Sequence, residues 1–346
     1  MSRKNPWWSI CVVLLMVMFI AGCSSQSAPA PKPQQPAAQK NEGQPQQPKF
    51  VAKLGHVGAP DHVFEIGAKK FSELVLQKTN GQIRIDTYPG GQLGGDRDMF
   101  EGLQMGTIEF AIEGPIDSFL PITSVVNLAY LFNGPEHVYK FLDGPLGEQV
   151  FGGLEKMGIH HLAEMENGWR LVTSNKPINS IADLKGMKIR VPESPVFRDA
   201  FTALGASPVP VAFTELYSAL QQGVVDGQEN PIFHIMTQRF YEVQKYVALT
   251  RHIYMNAPLL VSLKFWQQLT PEQQKAIEEA AMEATQYQRQ VCQQKEKELL
   301  KELETKGVTI TKPDLAPFRE AVKPVHEAWA KQFGQDLYQQ IVALGQ

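Results

Sequence analysis

From position 50 onward, stretches with apolar residues at every second position alternate with stretches where they fall three and four apart. Period two marks a half-buried strand, and period 3.6 a helix with one apolar face. In a first block, 50–57 reads as a strand (Val51, Leu54, Val57). A helix follows at Phe64, Ala68, Phe71 and Val75, closed by Asn80-Gly81. Then come a strand over 83–88, a glycine-rich loop over 89–95, a short helix over 97–106 and a strand over 108–112. Strand–helix–strand order at this spacing points to α/β layers rather than a bundle or sandwich.

A second block of the same kind begins near Trp169. It reads as a strand at 171–173, a turn at 181–186 and a strand at 187–191 that carries Arg190. A helix over 194–204 and an extended stretch over 207–211 follow. Next come a helix over 214–222 with Thr214 as its cap, a short strand at 224–226 and a helix over 233–243. Further extended stretches fall at 246–250 and 257–262. The two blocks are alike in kind and not in sequence, with no fixed-period repeat.

Thr270-Pro271-Glu272-Gln273 is a strong helix start, with a hydroxyl at the cap, proline in the first turn and glutamine three residues on. Ile277, Ala281, Ala284, Tyr287, Val291, Leu299 and Leu303 then recur at helical steps until Lys306-Gly307. This exceeds the usual helix length, so the segment either spans two lobes or breaks. Small and polar residues fill too many seam positions for a coiled coil. A strand over 308–310 and a last helix holding Phe318, Val322, Val325 and Trp329 complete the chain.

The N-terminal end sets the compartment. Arg3 and Lys4 precede an apolar run from Ile10 to Ala21, too short for a membrane span, followed by Gly22-Cys23. The arrangement resembles a bacterial lipoprotein signal, so residues 1–22 are expected to be removed and Cys23 lipidated. Ordinary export with Cys23 incidental is the alternative. Residues 23–49 then form the lipidated cysteine and a tether, rich in proline and glutamine, that cannot offset its ordering entropy by burial. Cys11 leaves with the signal and Cys23 is blocked, so Cys292 has no disulfide partner and the fold must rest on its core. Loss of Arg3 and Lys4 takes the formal charge from -3 to -5. That balance does not support a nucleic-acid partner. The remaining body of about 300 residues exceeds the size at which single cores stop growing, which implies two lobes.

Enzyme signatures are missing. Glycines 90, 91, 94 and 95 lack both G-x-G-x-x-G spacing and a following G-K-[ST], and read as turns around a ligand mouth. There is no G-x-S-x-G elbow. No histidine pair has metal-ligand spacing, so neither a metal nor a cofactor is expected. Cys292 reads as a packed residue of the long helix.

What stands out is arginine in apolar, strand-like surroundings: Arg170 after Gly168-Trp169, and Arg190 in 188–192 (KIRVP). A guanidinium facing a cleft suits a two-pronged bond to a planar carboxylate, although either arginine could equally serve an ordinary ion pair. Asn230 could offer an amide to the same ligand, or cap the helix that follows.

Segments 88–97 (YPGGQLGGDR), 182–192 (ADLKGMKIRVP), 203–206 (ALGA) and 215–231 (ELYSALQQGVVDGQENP) are similar to a known family. It is the extracytoplasmic solute-binding proteins of tripartite ATP-independent periplasmic (TRAP) transporters, of the dicarboxylate-binding type. The likeness runs from about Leu54 to the C-terminus. The resemblance implies an α/β, two-lobed periplasmic-binding-protein-like fold with mixed sheets, a cleft between lobes and a long lobe-spanning helix. Lobe 1 is expected over 50–168 plus about 256–295, and lobe 2 over 169–255 plus about 296–346.

The implied function is binding of a small organic acid and delivery to the small and large subunits of a TRAP permease. The chain would be a monomer, extracytoplasmic and held to the membrane by lipid alone. The resemblance further implies that Arg190 bridges the substrate carboxylate, with Arg170 and Asn230 beside it. Phe213 would be an aromatic wall, Glu113 a polar contact from the first lobe, and His56 and Asp96 weaker candidates. A ligand-sensing lipoprotein without a permease and a lipoprotein enzyme acting on organic acids are the alternatives.

Overall fold

A computed structural model describes residues 47–346. The expected signal segment, Cys23 and most of the tether lie outside the described residues. Among the described residues there are ten strands: β1 (Phe50–Gly55), β2 (Ile83–Tyr88), β3 (Phe110–Ile112), β4 (Ile159–Ser174) and β5 (Lys188–Val191). The others are β6 (Ser207–Pro210), β7 (Gly227–Pro231), β8 (Tyr246–Ala248), β9 (Tyr254–Ser262) and β10 (Thr309–Thr311). They hydrogen-bond in the order β2-β1-β3-β9-β4-β7-β5-β6, with β8 on β4 and β10 on β8. Parallel pairs (β1 with β2 and β3, β5 with β6 and β7, β8 with β10) are joined by antiparallel contacts of β4 and β9, so the sheet is mixed.

The two sheet regions are not separate, because β4 belongs to both. Residues Ile159 to Trp169 pair with β9, whereas Arg170 to Ser174 pair with β7, and the last three of these also with β8. Two register shifts, His161/Ala163 and Glu166/Gly168, interrupt the pairing with β9, and Gly168 takes φ +88. Such bulges bend and twist a strand, which lets one element turn from the first half of the molecule into the second. Only the last few residues of β4 carry the apolar signal read as a strand. In the rest, polar residues such as Glu164, Glu166 and Asn167 are themselves buried, so no apolar period was visible.

Each half has an apolar interior built by strand alternation. In the first, Ala52, Leu54, Ile83, Ile85 and Phe110 meet Phe64, Ala68 and Phe71 of helix Val63–Lys78. In the second, Ile189 and Val191 of β5 meet Phe197 and Phe201 of helix Pro195–Ala203. All of these side chains are buried.

The long helix runs unbroken from Pro271 to Thr305, 35 residues, and begins with the expected capping box between Thr270 and Gln273. At about 1.5 Å per residue it reaches roughly 50 Å. It packs on helix Val63–Lys78 of the first half, on β4, and on helix Ile232–Thr237 of the second. Gln288 fastens it at the second bulge: Nε2 donates to the Glu166 carbonyl at 2.6 Å and Oε1 accepts from the Glu166 amide at 2.9 Å. Arg289 Nη2 donates to the Glu164 carbonyl at 2.7 Å. Cys292 is buried on the same face.

Some local expectations are corrected. The strand expected at 224–226 lies instead at β7, one step on, and Thr214 caps nothing because a 3₁₀ turn, Phe213–Glu215, precedes a shorter helix, Leu216–Gln221. The helix expected over 233–243 stops at Thr237. The last helix is three: Ala316–Ala321, Lys323–Phe333 and Gln335–Ala343, separated at Val322 and Gly334. The middle one touches both halves, through His326 Nε2 to the Ala129 carbonyl at 2.7 Å and Trp329 Nε1 to Asp199 Oδ2 at 3.1 Å. Among the described residues no helix is long and apolar enough to cross a membrane.

Candidate functional site

Arg190 is the third residue of β5. Its neighbours Ile189 and Val191 point into the second-half core, so alternation turns Arg190 to the opposite face, where it is 2% exposed. Nε and Nη2 donate to the Val211 carbonyl at 2.9 and 2.7 Å, and the guanidinium lies 5.9 Å from the centre of the Phe213 ring. Among the described residues it has no carboxylate within salt-bridge distance and Nη1 makes no hydrogen bond, so its end-on edge is unused. Burial lowers its pKa to about 10, which keeps it charged at neutral pH.

Arg170 is equally buried but fully engaged. Nη2 donates to Glu229 Oε1 at 2.8 Å, to the Glu229 carbonyl at 2.7 Å and to Asn230 Oδ1 at 3.2 Å, while Nε donates to Glu229 Oε2. The guanidinium stacks 4.9 Å from the Phe197 ring. His252 Nε2 stands 3.0 Å from Glu229 Oε2. Burial opposes ionisation of Glu229, but Arg170 and His252 outweigh it and hold the carboxyl below the usual range. Asn230 is a buried residue of β7 that accepts from Arg170 and donates to Gln228 Oε1, and it caps no helix.

These residues come together with first-half residues at one place. A cavity of about 20 Å³ is lined by Arg170, Arg190, Pro192, Phe213, Asn230, His234 and Met255 from one side, and by Val57, Phe64, Asp96, Gly114 and Pro115 from the other. It adjoins a groove of about 260 Å³ bordered by Asp96, Arg97, Phe119, Arg190, Phe213 and Thr214. The two sides touch: Ser194 Oγ donates to Asp117 Oδ2 at 2.7 Å, and Arg97 Nε approaches Glu193 at 4.0 Å.

The glycine-rich loop forms part of the mouth. Gly94 takes φ +107, where a side chain would be strained, and its missing Cβ would sit 2.5 Å from Asp98 Cβ. The tight turn lets Asp98 Oδ2 accept from the Gly95 amide at 2.9 Å and starts helix Asp96–Met105 at the cavity. Asp96 Oδ1 accepts from the Gly114 amide at 3.2 Å. Burial raises the Asp96 pKa, with Gly114, Arg190 and Arg170 pulling the other way.

Glu113, just before Gly114, is fully buried with neither carboxylate oxygen hydrogen-bonded, and burial and then Asp96 push its pKa well up. His56 does not line the cavity. It is enclosed against Glu65, Nε2 to Oε2 3.0 Å, with its ring edge-on to Phe64.

Sequence reading missed His234, Met255 and Phe64 at the cavity. His234 stacks on His62 with ring centres 4.1 Å apart, and its Nδ1 is buried without a partner. Burial holds both imidazoles well below the ordinary histidine range, with each one's histidine neighbours adding to it, so both are neutral at pH 7. The signal was available in part: His234 follows Asn230 by four residues, but a helix expected there gave no reason to aim it. Among the described residues no group of three His, Cys, Asp or Glu is placed to hold a metal ion.

The chemistry is therefore a buried guanidinium with a free edge, an aromatic wall, an amide and a neutral histidine on one side, faced by the Asp96 carboxyl on the other. Comparison with known proteins bears on what such a site serves. A family profile described as bacterial extracellular solute-binding protein, family 7, matches residues 54–332. The solute-binding protein RD1_1052 of Roseobacter denitrificans is 37% identical over 80% of this chain and 85% of its own. The C4-dicarboxylate-binding periplasmic protein DctP of Rhodobacter capsulatus is 34% identical over 83% and 88%. Among solved structures, a TRAP periplasmic solute-binding protein from Polaromonas, bound to D-erythronate, superposes with TM-score 0.83 at 36% identity, covering 85% of this chain and 98% of that one. Its fold is the two-lobed one expected here.

Proposed function

The chain belongs to the bacterial extracellular solute-binding proteins of family 7, and on that premise we propose that it binds a small organic acid through Arg190 and delivers it to a TRAP-type permease. The observation that carries this reading is the free edge of buried Arg190 where the small cavity opens into the groove. A carboxylate entering there loses water, and a planar, always-charged donor pair replaces it. Phe213 packs against the guanidinium and limits its rotation, and the Val211 carbonyl fixes its plane. Asn230 is oriented by Arg170 and Gln228, so the Arg170–Glu229 pair positions an amide at the ligand.

The binding halves are 50–168 with about 256–295, and 169–255 with about 296–346, closing about β4 and the long helix. Ligand contacts from both sides bias an open–closed equilibrium toward the closed form, which a permease can tell from the empty one. Lipidation at Cys23, a monomeric state and the absence of catalysis complete the proposal. They are supported by the signal-like N-terminus and by membership of a binding family. A thermal-shift screen of mono- and dicarboxylates, sugar acids, and amino and keto acids tests it. Stabilisation by at least one acid, recovered chemically unchanged, is the expected result. No stabilisation by any acid, or turnover of one, contradicts it.

A further inference from the structure

We propose that Asp117 and Ser194 form a latch that draws the two halves together whatever the ligand, so that both act as positioning residues for any acid the protein binds. The proposal rests on the reading that the halves close over a ligand held by Arg190.

Ser194 stands at the cap of helix Pro195–Ala203 in the second half, where a serine hydroxyl ordinarily accepts from an amide of the first turn. Its side chain makes no such bond. Oγ donates instead to Asp117 Oδ2 of the first half at 2.7 Å, and both residues are buried. Burial raises the Asp117 pKa, opposed by Ser194 and by amides that include Val196, the second residue of that helix. A helix of one half is thus capped by a carboxyl of the other, the charge sign that a helix N-terminus favours.

The latch is tied to the ligand site from both sides. Ser194 follows Arg190 through Pro192, and its amide donates to the Pro192 carbonyl at 2.7 Å, so the turn leaving β5 is tight. Asp117 follows Gly114 and Pro115, which line the cavity. Joining the two therefore brings Arg190 against the first-half wall. When the halves part, the carboxyl regains water and the serine hydroxyl is free to cap its own helix. Asp117 Oδ1, buried without a partner, further reduces the gain on closing. The bias is modest, which suits a closure that must reverse. Apparent affinity scales with the share of the binding-competent form, so the latch multiplies affinity for every ligand by one factor.

The test compares the wild type with Ser194→Gly and Ser194→Thr. Glycine is a tolerated cap with no hydroxyl to donate, whereas threonine keeps it. Calorimetric titration with two acids that stabilise the wild type should show Ser194→Gly weakening both equally, about tenfold or more, and Ser194→Thr close to wild type. Asp117→Ala should match Ser194→Gly, and the double variant should lose little more, because one interaction is removed in each. No loss, losses that differ between the two acids, or additive losses overturn the latch. Should Ser194→Gly not fold, Asp117→Ala carries the same comparison.

Hydrogen exchange of the ligand-free proteins tests the latch without any acid. The loop at 90–95 lies at the mouth, far along the chain from both substitutions, and a Cβ on Gly91 would meet Thr214 Cγ2 of the second half at 3.0 Å. Its amides should exchange faster in Ser194→Gly and in Asp117→Ala than in the wild type. Unchanged exchange there overturns the latch and leaves the Arg190 reading standing. If no acid binds, the Arg190 reading falls, and the exchange result still decides the latch.

Discussion

Arg170 of β4 reaches diagonally to Glu229 of β7, two register steps from its own partner Pro231, with Nη2 and Oε1 2.8 Å apart, the arginine side chain 2% exposed and the glutamate not at all. An ion pair this enclosed is a poor source of net stability but a severe loss when one member goes, because the survivor is left charged and dry. Glu229→Ala should therefore destabilise the fold by about 3 to 5 kcal/mol in urea unfolding. The carboxyl is held below its ordinary value of 4.5, so the pair's contribution is complete above about pH 4.5 and is lost as pH falls through the lowered pKa. A loss well under 1 kcal/mol would show that the pair is open to water.

The stacked histidines make a demand of the same sign at higher pH. Both His62 and His234 sit below the ordinary value of 6.5 in the folded protein, so the unfolded chain protonates first. Stability is unaffected above about pH 6.5 and falls as pH drops below it, with a slope of about 1.4 kcal/mol per pH unit for each histidine. His234→Gln should flatten the pH dependence of unfolding below 6.5 by about one proton. An unaltered slope would mean that His234 charges freely in place.

Cys292 is 1% exposed in the long helix beside Glu166, and burial followed by that carboxylate pushes its pKa well above 9. A thiol so placed is neither accessible nor ionised. A thiol reagent should leave Cys292 of the folded protein unmodified over hours at pH 8 and label it fully in denaturant. Rapid labelling of the native protein would place the helix face in solvent.

How much of this was readable from sequence depends on distance along the chain. Period and caps located Phe64–Phe71, the Thr270–Gln273 box and the β5 arginine, because each is a local pattern. β4 escaped over most of its length: its bulges break the alternation at Ala163 and Gly168, and its buried face carries glutamates held by the long helix. Arg170 was singled out correctly as unusual, yet its partner Glu229 is 59 residues away, and nothing local separates a guanidinium waiting for a ligand from one already paired. The partner of His56, Glu65, is likewise supplied by the next helix. Glu113 and Asp96 were legible as candidates. That Glu113 lacks partners was not, since an unpaired atom is a property of the packed interior.

Replacing Arg190 tests the central claim most directly. Arg190→Ala should remain folded by circular dichroism, because the side chain faces the cavity and not the Ile189–Val191 core. Losing the two-pronged bond should cost about 3 kcal/mol, which is somewhat over 100-fold in Kd. Arg190→Lys should recover part of this, since it keeps the charge and not the planar fork. Asn230→Ala should weaken affinity while preserving the preference for an anion. The deciding measurement is calorimetric titration of Arg190→Ala with the tightest-binding acid of the screen. Affinity reduced 100-fold or more in a folded protein is the predicted result, and wild-type affinity would contradict the carboxylate clamp.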